Sequence, residues 1–296
     1  MDLVALADFN LVARHGGFGK ASRASGRPKA TLSRRVTELE AALQLRLFER
    51  GARNLKLTEE GRALHKRTAA LLTELDETAA TIAAGGDKPR GRLRISAPLL
   101  FSQTAMGRIA AGFALKYPDV RLEVTTEDRA VDMIEEGYDL VIRVNPDPDE
   151  SLVGRAFLHD RLVVVASPDL PRPMADLSAP GVVRGAGDRQ TWNVVTPEGP
   201  ATIGIEPILA LSSLIMVRDA VRTGVGAARM PISLVSHDLA DGTLLHWGDI
   251  KGSEIALWAL YPSRRLLSAR VSAFLDFLKQ AFPNGTPDEL AAYIGR

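Results

Sequence analysis

Four apolar residues, Leu32, Val36, Leu39 and Leu43, recur at spacings of four, three and four just after the break Gly26, Arg27 and Pro28. At about 100° per residue this spacing puts all four on one side of a helix. Pro28 suits the helix start, where a missing N–H costs nothing. The opposite side is short and polar. Arg34 points almost directly away from the stripe, Ala30, Thr31, Thr37 and Glu38 share its face, Ser33 and Arg35 flank it, and Lys29 stands in the first turn. Ahead lies a shorter helix, Phe18 to Ser25, whose inner stripe of Phe18, Ala21, Ser22 and Ser25 is small enough for another helix to approach. A first helix over residues 2–14, with Leu3, Leu6 and Phe9 inward, ends at Gly16 and Gly17. Two helices joined by a tight Gly-containing turn, the second so patterned, make a helix-turn-helix. Its outer face can enter a DNA major groove, which is wide enough to admit a helix. A helical hairpin with a basic solvent face fits the same pattern.

Charge bears on that choice. The whole chain of 296 residues is near neutral, at +1, yet residues 14–56 hold eleven Lys or Arg against three acids, a local +8. A basic segment on a near-neutral chain points to a polyanion partner for that segment alone.

Residues 45–57 read as a small β-hairpin, or wing. Leu47 and Phe48 lie on one arm, Leu55 and Leu57 on the other, and Arg50 and Arg53 near the tip, within reach of a phosphate or a narrow minor groove. Thr58 then caps a helix running to about Ala84, with Glu59 and Glu60 where the helix dipole favours acids. Along it Leu64, Thr68, Leu71, Leu75, Thr78 and Ile82 form a heptad-like seam. Such a helix is on the order of 40 Å long, too long to stand uncovered. A partner helix from a second subunit covers it in one reading; packing onto the chain's own C-terminal part does so in the other. Leu64, Leu71, Leu75 and Ile82 are the candidate dimerisation residues.

Gly85, Gly86, Asp87, Lys88 and Pro89 form a linker, after which strands alternate with helices. Strands are expected at 93–97, 120–125, 140–144, 162–166 and 256–261. Helices are expected at 103–116, 130–136 and 213–222, near Pro231, and at 268–282. This is the grammar of an α/β domain with mainly parallel strands. The three parts are 1–57 (winged helix-turn-helix), 58–90 (linker helix and hinge) and 91–296 (effector-binding domain).

With no cysteine, a thiol redox sensor, a thiolate zinc site and a disulfide scaffold are excluded. The five histidines lack metal-ligand spacing, and no nucleophile elbow or phosphate-binding loop is present. Gly224, Val225 and Gly226 read as a helix–loop packing feature. The run Asn145 to Glu150 reads as a solvated loop, lacking a calcium loop's glycine and spacing. No catalytic residue, metal or cofactor is expected. The start carries Asp2 and Asp8 with no basic flank, unlike a signal peptide, and no apolar stretch is long enough for a bilayer. The expected setting is cytoplasmic, with no membrane partner. Two functions remain: a ligand-controlled transcription regulator, and a solute-binding protein with an accessory helical domain. The basic N-terminal segment favours the first.

The segment from Gly16 to Gly61 resembles the DNA-binding region of LysR-type transcriptional regulators. It carries Gly16 to Phe18, then Leu32, Ser33 and Arg34, then Leu39 and Glu40, then Leu47 to Arg50, and finally Leu57 to Gly61. Similar family marks continue at Ile95 to Pro98, Tyr117 to Val120, Val131 and Asp132, Glu136 to Asp139, and Tyr261 to Arg265. The resemblance implies an all-α winged helix-turn-helix, a dimerising linker helix, and a two-lobed α/β domain of the periplasmic-binding-protein kind. Lobe I would be about 91–160 and 262–282, and lobe II about 161–261. It also implies double-stranded DNA as partner, assembly as a homodimer or homotetramer, RNA polymerase as a further candidate partner, and a small effector between the lobes. The chain departs from the family at Pro28, Lys29 and Ala30, where Ser-Gln-Pro is usual, and at Ser25, usually hydrophobic. Residues 283–296 lie past the usual end. The DNA-contact candidates are Lys29, Ala30, Thr31, Ser33, Arg34, Arg35, Thr37, Arg50 and Arg53. Strand ends and helix starts hold ligands in such sheets, which nominates Ala97, Phe101, Ser102, Arg143, Asn145, Ser212 and Ser213, with Arg189 and Trp192 facing them. A carboxylate-bearing effector suits these donors.

Overall fold

The computed structural model describes residues 2–49, 55–83, 88–129, 132–147, 152–173, 177–185, 188–262 and 267–295. They divide into two compact units. One comprises Met1–Lys88 with Asp132–Gly137, the other Pro89–Val131 with Tyr138–Arg296.

The first unit begins with α1 (Leu3–His15), α2 (Phe18–Ser25) and α3 (Lys29–Leu43). Asp2 caps α1 by accepting the Val4 N–H at 2.8 Å. Gly16 ends the helix at φ +63°, a conformation that costs glycine little. Pro28 stands at the N-cap of α3, one position ahead of the helix proper. The core joins Ala5, Leu6, Phe9 and Val12 of α1 to Ala21 of α2 and to Leu32, Val36 and Leu39 of α3, so the apolar stripes meet one another. Two buried polar residues sit among them. Asp8 is bonded by Arg27 and by Arg35. Asn10 donates to the Leu6 carbonyl at 2.9 Å and to Thr68 Oγ1 at 2.9 Å.

The wing leaves α3 through Glu40, whose Oε1 accepts the Leu47 and Phe48 N–H groups at 2.7 and 3.2 Å. Phe48 pairs antiparallel with Leu57. The tip, with Arg50 and Arg53, lies outside the described residues, as does the linker over 84–87. Thr58 Oγ1 then accepts the Gly61 N–H at 3.0 Å and starts α4 (Glu59–Ala83). A Cβ on Gly61 would stand 2.1 Å from the Leu47 carbonyl oxygen, which accounts for glycine there. The seam on α4 is divided. Leu64, expected to meet a second subunit, packs instead on the core of its own domain, whereas Leu71 and Leu75 are exposed. The Ile82 side chain lies outside what is described. The short α7 (Met133–Glu136) belongs to this unit, and the helix expected from Ala130 is seen only there.

The second unit contains β1 (Gly91–Ala97), α5 (Leu99–Phe101), a π-helical turn (Ser102–Met106), α6 (Gly107–Lys116), β2 (Val120–Thr126) and β3 (Leu140–Val144). There follow β4 (Leu152–Ala166), β5 (Ser178–Arg184), β6 (Gln190–Thr196), β7 (Gly199–Leu211), α8 (Leu214–Arg222), β8 (Ala228–Pro231), α9 (Ile232–Asp241), β9 (Leu245–Pro262), α10 (Ala269–Ala281) and α11 (Pro287–Ala291). The strand order is β2-β1-β3-β9-β6-β7-β5, with β4 pairing β8 and β9. This sheet is mixed, a correction to the mainly parallel expectation. β1 runs parallel to β2 and β3, and β5 to β7, while β9 is antiparallel to β3, β4 and β6. The long pair β4 and β9 carries the chain between two cores. One core gathers Ile95, Phe101, Phe113, Ile142, Leu257, Ala259 and Phe274. The other lies on two faces around Val163, Val165, Val217 and Met230 and around Val164, Trp192, Val194 and Trp247. Ile255, Leu257, Ala259 and Tyr261 of β9 thus pack with the core that holds Phe101 and Phe113. Gly226 permits close packing here, since a Cβ would stand 2.9 Å from the Pro180 carbonyl oxygen.

Candidate functional site

The outer face of α3 is open. Lys29, Ala30, Ser33, Arg34 and Thr37 are exposed and Thr31 partly so. Arg34 reaches Glu38 at 3.0 Å along its own helix, with both side chains more than half exposed. An exposed pair of this kind is worth little, so the guanidinium is available to a stronger acceptor. Thr37 Oγ1 donates to the Ser33 carbonyl at 3.0 Å and keeps its acceptor capacity. Arg35 departs from the expected set. Its Nη1 donates to Asp8 Oδ2 at 3.0 Å, which ties α3 to α1 and turns this guanidinium inward.

In the second unit a cleft of about 550 Å³ opens between the lobes, within the range of small-molecule sites. Four of the nine expected residues line it: Phe101, Arg143, Trp192 and Ser213. Arg143 is held in place, donating to the Ile142 carbonyl at 2.8 Å and to Ser96 Oγ at 3.1 Å. Ser213 caps α8 through the Ile215 N–H. The other five are not among the lining residues. Ser102 donates to the Ala97 carbonyl at 3.3 Å, and Ala97 itself is fully buried. Asn145, in left-handed conformation at φ 41°, bridges β3 to β9. It donates to the Glu254 carbonyl at 2.8 Å and accepts the Ala256 N–H at 2.7 Å. Arg189 donates to Ser178 Oγ at 2.7 Å, and Ser212 is an exposed residue. The Ser102 and Asn145 side chains are thus engaged with backbone groups and that of Arg189 with Ser178.

The cleft holds groups that sequence reasoning missed. Arg229 of β8 lies with its guanidinium carbon 5.1 Å from the centre of the Trp192 ring, a cation–π arrangement. Gln190 Oε1 accepts from Trp192 Nε1 at 3.0 Å and from Arg229 Nη2 at 3.4 Å. Arg229 is itself exposed; the partial burial of its guanidinium lowers its pKa, and no acid among the described residues forms an ion pair with it. A signal was present: Arg229 is the only charge in the run Gly226 to Ile232. Asp128 accepts the Leu99 N–H at 2.8 Å and pairs with Arg184 across the cleft. Asp160 stands where β4 crosses between lobes. Burial is the largest influence on its pKa and raises it, against hydrogen bonds from Ser233 Oγ at 2.5 Å and the Arg161 N–H at 2.8 Å. Much of the remaining wall is apolar: Leu99, Leu162, Val183, Leu214, Ile255 and Leu257.

A helix-turn-helix with an exposed, arginine-bearing second helix, followed by a two-lobed domain with a cleft, defines a DNA-binding transcriptional regulator with an effector-binding domain. The comparisons give the family. The LysR substrate binding domain matches residues 86–283, and the bacterial regulatory helix-turn-helix protein, lysR family, matches residues 3–62. This chain belongs to the LysR family of transcriptional regulators. It is 29% identical over 289 residues to the HTH-type transcriptional regulator DmlR of Escherichia coli, covering 95% of this chain and 94% of that one. The structure of CrgA, a LysR-type transcriptional regulator from Neisseria meningitidis, is similar at a TM-score of 0.58 and 26% identity, over 96% of this chain and 100% of that chain. The Vibrio cholerae virulence activator AphB, a member of the LTTR protein family, is similar at 0.55 and 29%, over 95% and 100%. Matches over both parts set aside the reading as a solute-binding protein with an accessory domain. No helix among the described residues is long and apolar enough to cross a membrane.

Proposed function

We propose that this regulator reads its DNA site with Lys29, Ser33, Arg34 and Thr37 of α3. Its cleft then takes a small carboxylate whose binding alters DNA affinity. Arg34 supplies the base contact, Lys29 a phosphate or base contact from the first turn, and Arg35 positions the helix from behind. The exposed Leu71 and Leu75 favour assembly through α4 into a homodimer, or a tetramer built from it.

The observation that carries the effector reading is Arg229, a cation on an aromatic face, without an ion-pair partner among the described residues, in a largely apolar cleft. A carboxylate would pair with this open, water-facing cation and an apolar body would fill the remainder. Hydrogen bonds to a charged group are worth about 1.5–3 kcal/mol. The test measures the affinity of the full chain for labelled DNA from upstream of its own gene, with benzoate and other small carboxylates or their amides added. At least one acid should change the affinity fivefold or more, its amide should not, and Arg229→Met should remove the response. Equal responses to acid and amide would contradict the reading.

A further inference from the structure

The segment past the family-matched region is folded against both lobes. Gly285, at φ +63°, accepts the His159 N–H of β4 at 2.8 Å. A Cβ there would stand 2.9 Å from the Phe157 carbonyl oxygen, so the backbone runs directly against the crossing strand. Thr286 and Glu289 form a capping box for α11, and Asn284 donates to Glu289 Oε1 through its backbone N–H at 3.1 Å and its Nδ2 at 3.0 Å. Tyr293 packs on Phe282 at 5.5 Å between ring centres and lies under the Arg108 guanidinium at 4.7 Å, while Arg108 Nη2 donates to the Ala292 carbonyl at 2.9 Å. Those contacts hold the segment to lobe I. On the other side the Ala291 carbonyl is 3.2 Å from His237 Nε2 of α9. Leu290 is buried in the lobe I core and Ile294 in the lobe II core. Four residues apart in sequence, they anchor opposite lobes. On either side of His159, β4 and β9 shift register at Ala156/Leu158 and at Arg161/Val163, and strands bend at such bulges. Leu290 also forms part of the cleft wall.

We propose that residues 284–295 form a strap that ties the lobes together at the crossing strands. Leu290 on this strap is a specificity-determining residue that limits the length of the effector the cleft admits. The specificity claim rests on the carboxylate reading of the cleft; the strap claim does not.

Two measurements on the full chain separate these claims. The first is calorimetry with benzoate, 3-phenylpropanoate and 5-phenylpentanoate as probes. Leu290→Ala should raise the affinity of the longest acid at least fivefold relative to benzoate, and Leu290→Phe should lower it. An unchanged order in both variants overturns the role of Leu290, and binding of none of the acids by any variant overturns the carboxylate reading together with that role. The second needs no ligand. The chain has no cysteine, so spin labels can be placed by Leu115→Cys on α6 and Thr243→Cys after α9, both exposed positions. With labelled chain diluted into an excess of unlabelled chain, so that only pairs within one subunit are read, the intact strap should give one narrow interlobe distance, and Ile294→Asp or removal of residues 284–296 should broaden it. A distribution equally narrow in wild type and Ile294→Asp overturns the strap.

Discussion

Arg35 of α3 donates a hydrogen bond at 3.0 Å to Asp8 of α1, a carboxylate with no solvent exposure. Arg27, from the turn between α2 and α3, bonds the other oxygen of the same carboxylate. One buried acid therefore ties both the turn and α3 to α1. By charge alone, removing an acid from a DNA-binding domain should strengthen binding. The geometry predicts the reverse. Asp8→Ala should lower the stability of the N-terminal unit by about 2 kcal/mol, given the worth of hydrogen bonds to charged groups, and should weaken DNA binding. Denaturant unfolding and a DNA titration at fixed salt check both; tighter DNA binding would contradict the positioning role.

Leu71 and Leu75 are 59% and 55% exposed on α4. Leu71→Asp with Leu75→Asp should leave the fold of the single chain intact, since neither side chain is buried in it. If these residues meet a second subunit, the paired charges should split the dimer and remove most DNA affinity, because a lone subunit holds only one half-site. Sedimentation of the double variant reads the outcome directly, and a full-size dimer would contradict the assignment.

Asp160 gives a pH dependence with a definite sign. Its pKa in the folded chain is raised by burial, so its contribution is fully present below the ordinary carboxylate value of about 3.9. That contribution is lost as pH rises through the raised value. Asp160→Asn removes the titration. The melting temperature of this variant should therefore gain on that of the wild type as pH goes from about 4 to 7. A gap that stays constant or shrinks over that window would contradict the assignment.

The helical unit was legible because its signals are local. Gly16, Gly26 and Pro28 mark the ends of α1 and α2 and the start of α3, and Leu32, Val36 and Leu39 keep one helical period. The sheet was less so. β7 contains Gly204 and Pro207, β9 passes through Lys251, Gly252 and Ser253, and the first half of β4 carries Gly154, Arg155 and His159, residues that weaken a local strand signal. These strands are held by pairing to partners distant in sequence, and pairing leaves no local period. The cleft was legible only in part for the same reason. Strand-end reasoning selected Ser102 and Asn145, whose side chains are turned into backbone hydrogen bonds. It passed over Arg229, whose environment comes from Gln190 and Trp192, nearly forty residues away in the chain. Leu290 lies past residue 283, where the family pattern ends, and no local period marks it.

In the function proposed above, Arg34 reads bases while Arg35 holds the helix that carries it. The direct measurement is the affinity of the full-length Arg34→Ala chain, at fixed salt, for the intergenic DNA upstream of its own gene and for a scrambled duplex of equal length. A good base contact contributes about 1–3 kcal/mol of discrimination. The specific affinity should thus fall roughly tenfold or more while the scrambled affinity falls much less. An unchanged specific affinity, or equal losses on the two duplexes, would contradict the account.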